Sequence, residues 1–282
     1  MKVFHKINPL KDVLNHHRSN SLKIGLVPTM GALHKGHASL INRSMNETDV
    51  TVCSLFVNPI QFNNTRDLDT YPRTLEKDIH FLEKLGCHIL FNPSVQEMYP
   101  YPPVVEFGFG EMEKSMEGAF REGHFSGVAL VVAKLFNLVK PHKAYFGQKD
   151  LQQFVIVEKM VKDMNIDLEL VCAPIIREES GLAVSSRNQR LSEAQKALAA
   201  NLYKALQLGQ QLLAENHDIS SVKREVSNFL SQWQDICPEY FEIVNTCTLK
   251  TVDYMEDGKE VALCIAAYIG SVRLIDNIIF KK

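Results

Sequence analysis

Two mainly apolar runs stand near the start of the chain, Leu22–Val27 and Val50–Val57. Runs of this length without strict alternation predict strands buried on both faces, as in a parallel sheet. Between them, Gly36–Met45 reads as a helix. Thr74 is placed to cap a helix over Leu75–Leu85, and Gly86 follows as its stop. Cys87–Phe91 is a further short strand, ended by Asn92-Pro93. Residues 99–103 hold three prolines and read as loop. The first ten residues are mixed and charged.

A second cycle follows. Ser126–Val139 is apolar at helical spacing and stops before Pro141. Ala144–Gly147 reads as a strand, Asp150–Met164 as an amphipathic helix and Leu168–Ile176 as a strand. Strands alternating with helices predict an α/β fold, a doubly wound parallel sheet covered on both faces. The pattern changes after Asn188: one long helix over Leu191–Glu215, another over Ser220–Trp233, then Phe241–Leu249 and two strands, Val261–Ile269 and Val272–Phe280. Asp257-Gly258 and Gly270-Ser271 are turn dipeptides. Helices followed by a meander predict a smaller C-terminal α+β domain. The boundary falls near the polar stretch 177–188, giving domains 1–180 and 181–282.

Composition narrows the function classes. The 282 residues carry 31 Lys+Arg and 33 Asp+Glu, a formal net charge of −2. Such a chain has no whole-molecule field to draw nucleic acid or an anionic membrane, so neither is expected as a partner. No stretch approaches the ~18 uncharged apolar residues of a membrane span, and the N-terminus lacks the apolar core of a secretory signal. Six cysteines are scattered without a C-x-x-C pair. They read as structural thiols in a reducing, cytoplasmic compartment.

Five segments could carry chemistry. Pro28–His37, P-T-M-G-A-L-H-K-G-H, follows the first strand and opens a helix. Ligands of open α/β sheets bind beyond the carboxyl ends of strands, and a helix N-terminus there suits a phosphate. Gly31 and Gly36 allow close backbone approach, and His34 and His37 are spaced to share a helical face. A zinc site is a poor reading, because no further Cys or His ligand pattern lies nearby. Val57–Asn63, after the second strand, offers Asn58 and Gln61, amides suited to hydroxyl or carboxylate recognition. Phe146–Phe154 repeats the strand-Gly-helix pattern; its Lys149 sits where only an anion would make a cation favourable, and Gln153 lies one turn in. Arg177–Asn188 joins two hydroxyls and an arginine beside Gly181, a candidate phosphate clamp and hinge. Met116–Val128 is Gly-rich and holds Arg121 and His124, equally suited to ion pairing.

In this order, P-T-M-G-A-L-H-K-G-H, F-V-N-P-I-Q-F, G-H-F-S-G-V, F-G-Q-K-D-L-Q-Q and G-L-A-V-S-S-R-N resemble the pantoate–β-alanine ligases, or pantothenate synthetases, from about Leu22 to Leu191. These belong to the H-x-G-H nucleotidyltransferases, so the resemblance implies a Rossmann-like catalytic domain with a C-terminal lid. It implies two steps. Pantoate and ATP give pantoyl adenylate and pyrophosphate; β-alanine then gives pantothenate and AMP, with Mg²⁺ accompanying ATP. It further implies a homodimer. By matching position, Met30, Gly31, Ala32, Leu33, His34, Lys35, Gly36 and His37 would line the ATP site, joined by Gly147, Gln148, Lys149 and Asp150, and by Ile176, Val184, Ser185, Ser186 and Arg187. His34, His37, Lys149 and Arg187 would be catalytic. Gln61 and Gln153 would bind pantoate, and Gln61 also β-alanine. Gln148, Ser180 and Glu122 depart from the residues frequent in the family. Two rival expectations stand beside this one: another H-x-G-H nucleotidyltransferase, and a nucleotide-binding module without chemistry.

Overall fold

The computed structural model describes residues 1–63 and 65–282. In chain order the elements are β1 (Lys2–Phe4), α1 (Ile7–Ser19), β2 (Ile24–Thr29), α2 (Lys35–Glu47), β3 (Val50–Leu55), α3 (Thr65–Asp69), α4 (Leu75–Leu85), β4 (Ile89–Phe91) and α5 (Val95–Met98). Next come α6 (Met116–Phe120), α7 (His124–Val139), β5 (Lys143–Gly147), α8 (Leu151–Asp163) and β6 (Glu169–Ala173). The chain ends with α9 (Glu193–Ala199), α10 (Asn201–Ala214), α11 (Ile219–Leu230), β7 (Ile236–Asn245), β8 (Glu260–Ile269) and β9 (Val272–Lys281).

By its contacts the chain groups into two compact units. The first holds 1–109, 121–147 and 156–173; the second holds 110–120, 148–155 and 174–282. The first unit is built on a six-stranded sheet of order β1-β4-β3-β2-β5-β6, in which every pair is parallel. Ile24, Leu26 and Val27 of β2 are completely buried. Neighbouring strand residues point to opposite faces, so both faces of β2 are covered, as the doubly wound expectation requires. The connections leave β2 toward β3 and β4 on one side, then return to β5 and β6 on the other. Such a reversal opens a crevice at the carboxyl ends of the strands it separates, here β2 and β5.

The second unit carries a three-stranded antiparallel sheet, β7-β8-β9. Leu202, Ala205 and Leu206 of α10 and Val222 and Val226 of α11 pack with Val261, Leu263 and Ile265 of β8. Gly270 turns the β8–β9 hairpin at φ 59°, a conformation that glycine takes without strain.

The N-terminus, for which the sequence predicts no element, forms β1 and α1: Leu10 and Leu14, four apart, are fully buried, and β1 pairs with β4. Several local expectations are corrected. The predicted helix 191–215 is two pieces, α9 and α10. A 3-10 turn occupies Ser186–Arg190, and Ser192 then starts α9 by accepting from the Gln195 N–H. The regular pattern breaks at Ala200–Asn201, where the Asn201 amide donates to Leu198 O at 3.0 Å and competes with the helical ladder. Thr74 occupies the N-cap position of α4 without capping it; its hydroxyl donates to Asp78 Oδ2 at 3.1 Å. β7 begins earlier than expected and absorbs a register shift between Pro238 and Tyr240. Proline lacks the ladder N–H, which accounts for an irregularity there.

Gly127 of α7 packs directly on the turn that carries Gln61. A Cβ there would stand 2.7 Å from Gln61 Cα and 2.8 Å from Gln61 N. Gly127→Ala should therefore lower stability by about 1–3 kcal/mol, as overpacking against backbone does. Urea denaturation measures this, and an unshifted midpoint would refute the close fit.

Candidate active site

Within the first unit, the β2–α2 loop is built around a carboxylate. Gly31 and Ala32 both take positive φ, 87° and 50°. That conformation turns the N–H groups of Ala32 and Leu33 toward Asp78 of α4, which accepts them at 3.0 and 2.7 Å through its two oxygens. Thr29 ties the same loop back to β3, donating to Ser54 O at 2.8 Å and accepting from Gly31 N at 3.3 Å. Helix α2 then begins with a reciprocal cap. His34 accepts from Gly36 N at 3.1 Å, and His37 accepts from His34 N at 3.3 Å. The two rings lie 4.0 Å apart between centroids. In both, Nδ1 is the acceptor, so each neutral ring carries its proton on Nε2. No acidic residue occupies the first turn of α2, which leaves its positive dipole end uncompensated by a carboxylate of its own.

Gln61 stands at the end of a 3-10 turn, Pro59–Gln61, and is buried. Its Nε2 lies 2.9 Å from Met30 Sδ, so the first two predicted segments do meet. Asn58 holds the turn from beneath, donating to Gly127 O at 3.0 Å and to Gln61 Oε1 at 3.3 Å. Tyr99 donates to Asn58 Oδ1 at 3.0 Å, and burial pushes that phenol up to about 12, so it remains a donor at neutral pH. His124 Nδ1 meets Gln61 O at 2.9 Å, and Arg121 lies against His124 Nε2 at 3.1 Å. A cavity of about 310 Å³ opens in this unit, lined in part by Met30, Gly31, Val57, Arg73 and Asp78. Gly147 ends β5, paired with Ala173.

Within the second unit, Gln148, Lys149 and Asp150 form a 3-10 turn ahead of α8, with Gln153 half-buried in its first turn. Lys149 is 16% exposed, and its ammonium lies 3.6 Å from Asp150 Oδ1. Ile176 and Val184 face each other across a hairpin, with Val184 N donating to Ile176 O at 2.9 Å. Ser185 follows directly and accepts from Arg187 N at 3.3 Å. Lys149 and Ser185 line one small cavity together with Asn188 and Asp276. Arg177, part of the predicted clamp segment, is committed elsewhere: it pairs with Asp276 at 2.6 and 2.9 Å and lies 3.7 Å over the Tyr203 ring.

Cys53, Cys87, Cys172 and Cys264 offer no activated nucleophile. Burial raises Cys53 and pushes Cys87 and Cys172 to about 11 and Cys264 to about 12. A thiol must ionise to attack, so these remain inert at neutral pH.

The family model for pantoate-beta-alanine ligase matches residues 2–279. The chain belongs to the pantoate-beta-alanine ligase family. A pantothenate synthetase of Bacteroides fragilis is 49% identical over 282 residues, covering 100% of both chains. That of Cytophaga hutchinsonii is 47% identical over 274 residues, 97% of each. Among solved structures, pantothenate synthetase from Thermus thermophilus matches with a TM-score of 0.92 at 38% identity, covering 99% of both chains. Pantoate-beta-alanine ligase from Francisella tularensis, solved with beta-gamma ATP and beta-alanine, matches with a TM-score of 0.81 at 34% identity over 99% of this chain and 97% of that one. These relatives favour the ligase expectation over the other nucleotidyltransferases.

Sequence reasoning passed over Asp78, Asp276 and Asn277. Asp78 sits inside an amphipathic helix pattern, where an acidic residue reads as solvated. The only available signal was its place in the helix's first turn, facing the end of a buried strand. Asp78→Ala removes the acceptor of two N–H groups, with hydrogen bonds to a charged group worth ~1.5–3 kcal/mol each. Stability should fall by about 2–4 kcal/mol in chemical denaturation. A loss under about 0.5 kcal/mol, the level of an ordinary surface change, would show that the carboxylate does not organise the loop.

Proposed function

We propose that this chain joins pantoate to β-alanine using ATP, by way of a pantoyl adenylate. The observation that carries the reading is the His34–His37 pair at the acid-free start of α2, with each Nδ1 already accepting from backbone. This geometry puts the ring proton on Nε2, a donor suited to phosphate oxygens, and the family membership supplies the substrates.

In the first step a pantoate carboxylate oxygen attacks the α-phosphorus of ATP. A P–O bond to pyrophosphate breaks as the acyl phosphate bond forms. An anion here approaches a polyanion, so charge is the chief barrier. His34 and His37 donate to the phosphates, and Lys149 and Arg187 offset the charge growing on the pyrophosphate. Met30 through Gly36, Gly147 through Asp150, Ile176 and Val184 through Ser186 complete the nucleotide contacts. Gln61 and Gln153 hold pantoate. Gln61, fixed by Asn58 and His124, also orients β-alanine.

In the second step the β-alanine amine attacks the acyl carbon, AMP leaves, and the amine gives up its protons to solvent. Alkyl amines titrate near ~10, so little of the free amine is present at neutral pH. Holding it beside the adenylate does more than any protein nucleophile could. Mg²⁺ is assigned to ATP, as a hard cation that retains waters and is held chiefly by phosphates. Asp150, about half exposed beside Lys149, is the carboxylate this chain could lend it.

A cytoplasmic setting is part of the same reading. All six cysteines are free, and among the described residues no helix is long and apolar enough to cross a membrane. We also assign a homodimer, supported by the exposed apolar side chains of Tyr101, Val104 and Val105 on one loop.

Pyrophosphate release should require Mg-ATP and pantoate, and AMP with pantothenate should appear only when β-alanine is added. His37→Ala or Lys149→Ala should slow pyrophosphate release by ~10²–10⁴-fold while the circular dichroism spectrum is retained. An unchanged rate in either variant removes that residue from the assignment. Light scattering should give twice the 32.0 kDa chain mass, and a monomer at working concentration rules out the dimer.

A further inference from the structure

Strand β9 reads Val-Arg-Leu-Ile-Asp-Asn-Ile-Ile-Phe-Lys, with two polar residues in the middle of an apolar run. Both are buried, Asp276 at 5% and Asn277 at 3% exposure. Buried polar groups are costly unless every donor and acceptor is met. Here they are met by loops that carry candidate phosphate contacts.

Both donors and the acceptor oxygen of the Asn277 carboxamide are engaged. Its Nδ2 donates to Gln148 O and to Lys149 O, both at 3.0 Å, and its Oδ1 accepts from Gln148 Nε2 at 3.1 Å. Two successive carbonyls of the turn bearing Lys149 are thereby fixed to one side chain. The Asp276 carboxylate takes Arg177 in a two-pronged pair and accepts from Asn277 N at 2.8 Å. Arg177 in turn donates to Gly181 O at 3.0 Å and to Asn277 O at 3.2 Å. It stands at the base of the hairpin that runs through Ala183 and Val184 into Ser185. Gly181, at φ 92°, lies so close to Tyr203 that a Cβ would come within 2.7 Å of that ring. The hairpin is thus held at its base by Asp276 through Arg177, and near its tip by Tyr203.

We propose that Asp276 and Asn277 act as a positioning pair for adenylate formation. Asn277 sets the backbone that aims Lys149, and Asp276, through Arg177, sets the hairpin that presents Ser185, Ser186 and Arg187. Neither residue touches substrate. The inference rests on the ligase reading, in which these elements meet the phosphates of ATP. It assigns the pair to the first chemical step alone, because the second step needs no charge offset on pyrophosphate.

The test separates the two half-reactions in the full-length protein. One assay follows pantoate-dependent pyrophosphate release from Mg-ATP. The other supplies synthetic pantoyl adenylate and follows β-alanine-dependent AMP release. Asn277→Asp replaces the donating amide by an oxygen facing two carbonyls; Asn277→Ala and Asp276→Asn add no charge. Each should slow pyrophosphate release by about 10- to 100-fold, as misplacement of a charged group does, and AMP release by less than about threefold. Because Asn277 acts through Lys149, Asn277→Ala in a Lys149→Ala background should cost less than about threefold more. Equal losses in both half-reactions, no loss in either, or additive losses in the double variant overturn the proposal. Failure of all three single variants to fold makes the pair structural and overturns it as well. If the unmodified protein releases no pyrophosphate with pantoate, the ligase reading has failed instead.

Discussion

Two peptide N–H groups and one carboxylate organise the β2–α2 loop. Ala32 and Leu33 can present both N–H groups to Asp78 only because Gly31 and Ala32 take left-handed conformations in succession. An alanine at positive φ is strained on its own. The charge-assisted hydrogen bonds to Asp78 offset that strain. With the loop fixed at this point, His34 falls at the N-cap of α2 and His37 falls one turn beyond it, so that the His37 ring accepts from His34 N and the His34 ring from Gly36 N. The paired histidines therefore depend on a side chain that lies some forty residues further along the chain.

The second unit solves the same problem with a different donor set. There a carboxamide grips two carbonyls of the Lys149 turn, where in the first unit a carboxylate grips two N–H groups. In both cases a buried polar side chain on a regular element fixes an irregular stretch that carries the chemistry. Loops that must hold charged groups cannot be stabilised by apolar packing alone, since their own backbone polar groups need partners. Placing those partners on a helix or strand transfers the rigidity of the core to the loop.

The parallel sheet was legible because its central strands are mainly apolar runs without strict alternation, Leu22–Val27 and Val50–Val57. The segments at the strand ends were legible for a different reason, being punctuated by glycine and rich in His, Lys and Gln. Elements that depend on distant partners were not. β1 has three residues and is a strand only because β4 lies beside it. The break after Ala199 turns on the Asn201 side chain choosing Leu198 O over solvent, which periodicity cannot register. Asp78, Asp276 and Asn277 were missed for the same reason: an acidic residue on a helix, or a polar pair inside a strand, acquires meaning only from what the fold brings against it.

The reciprocal cap at the start of α2 has a consequence for how the molecule meets acid. Both rings spend a lone pair on a backbone N–H. A second proton on either imidazole would turn that acceptor into a donor facing a donor, and the two rings, 4.0 Å apart, would repel if both were charged. The first turn of the helix would lose its cap at the same moment that its end gained positive charge. The arrangement is thus a latch whose two backbone contacts are made by neutral imidazoles.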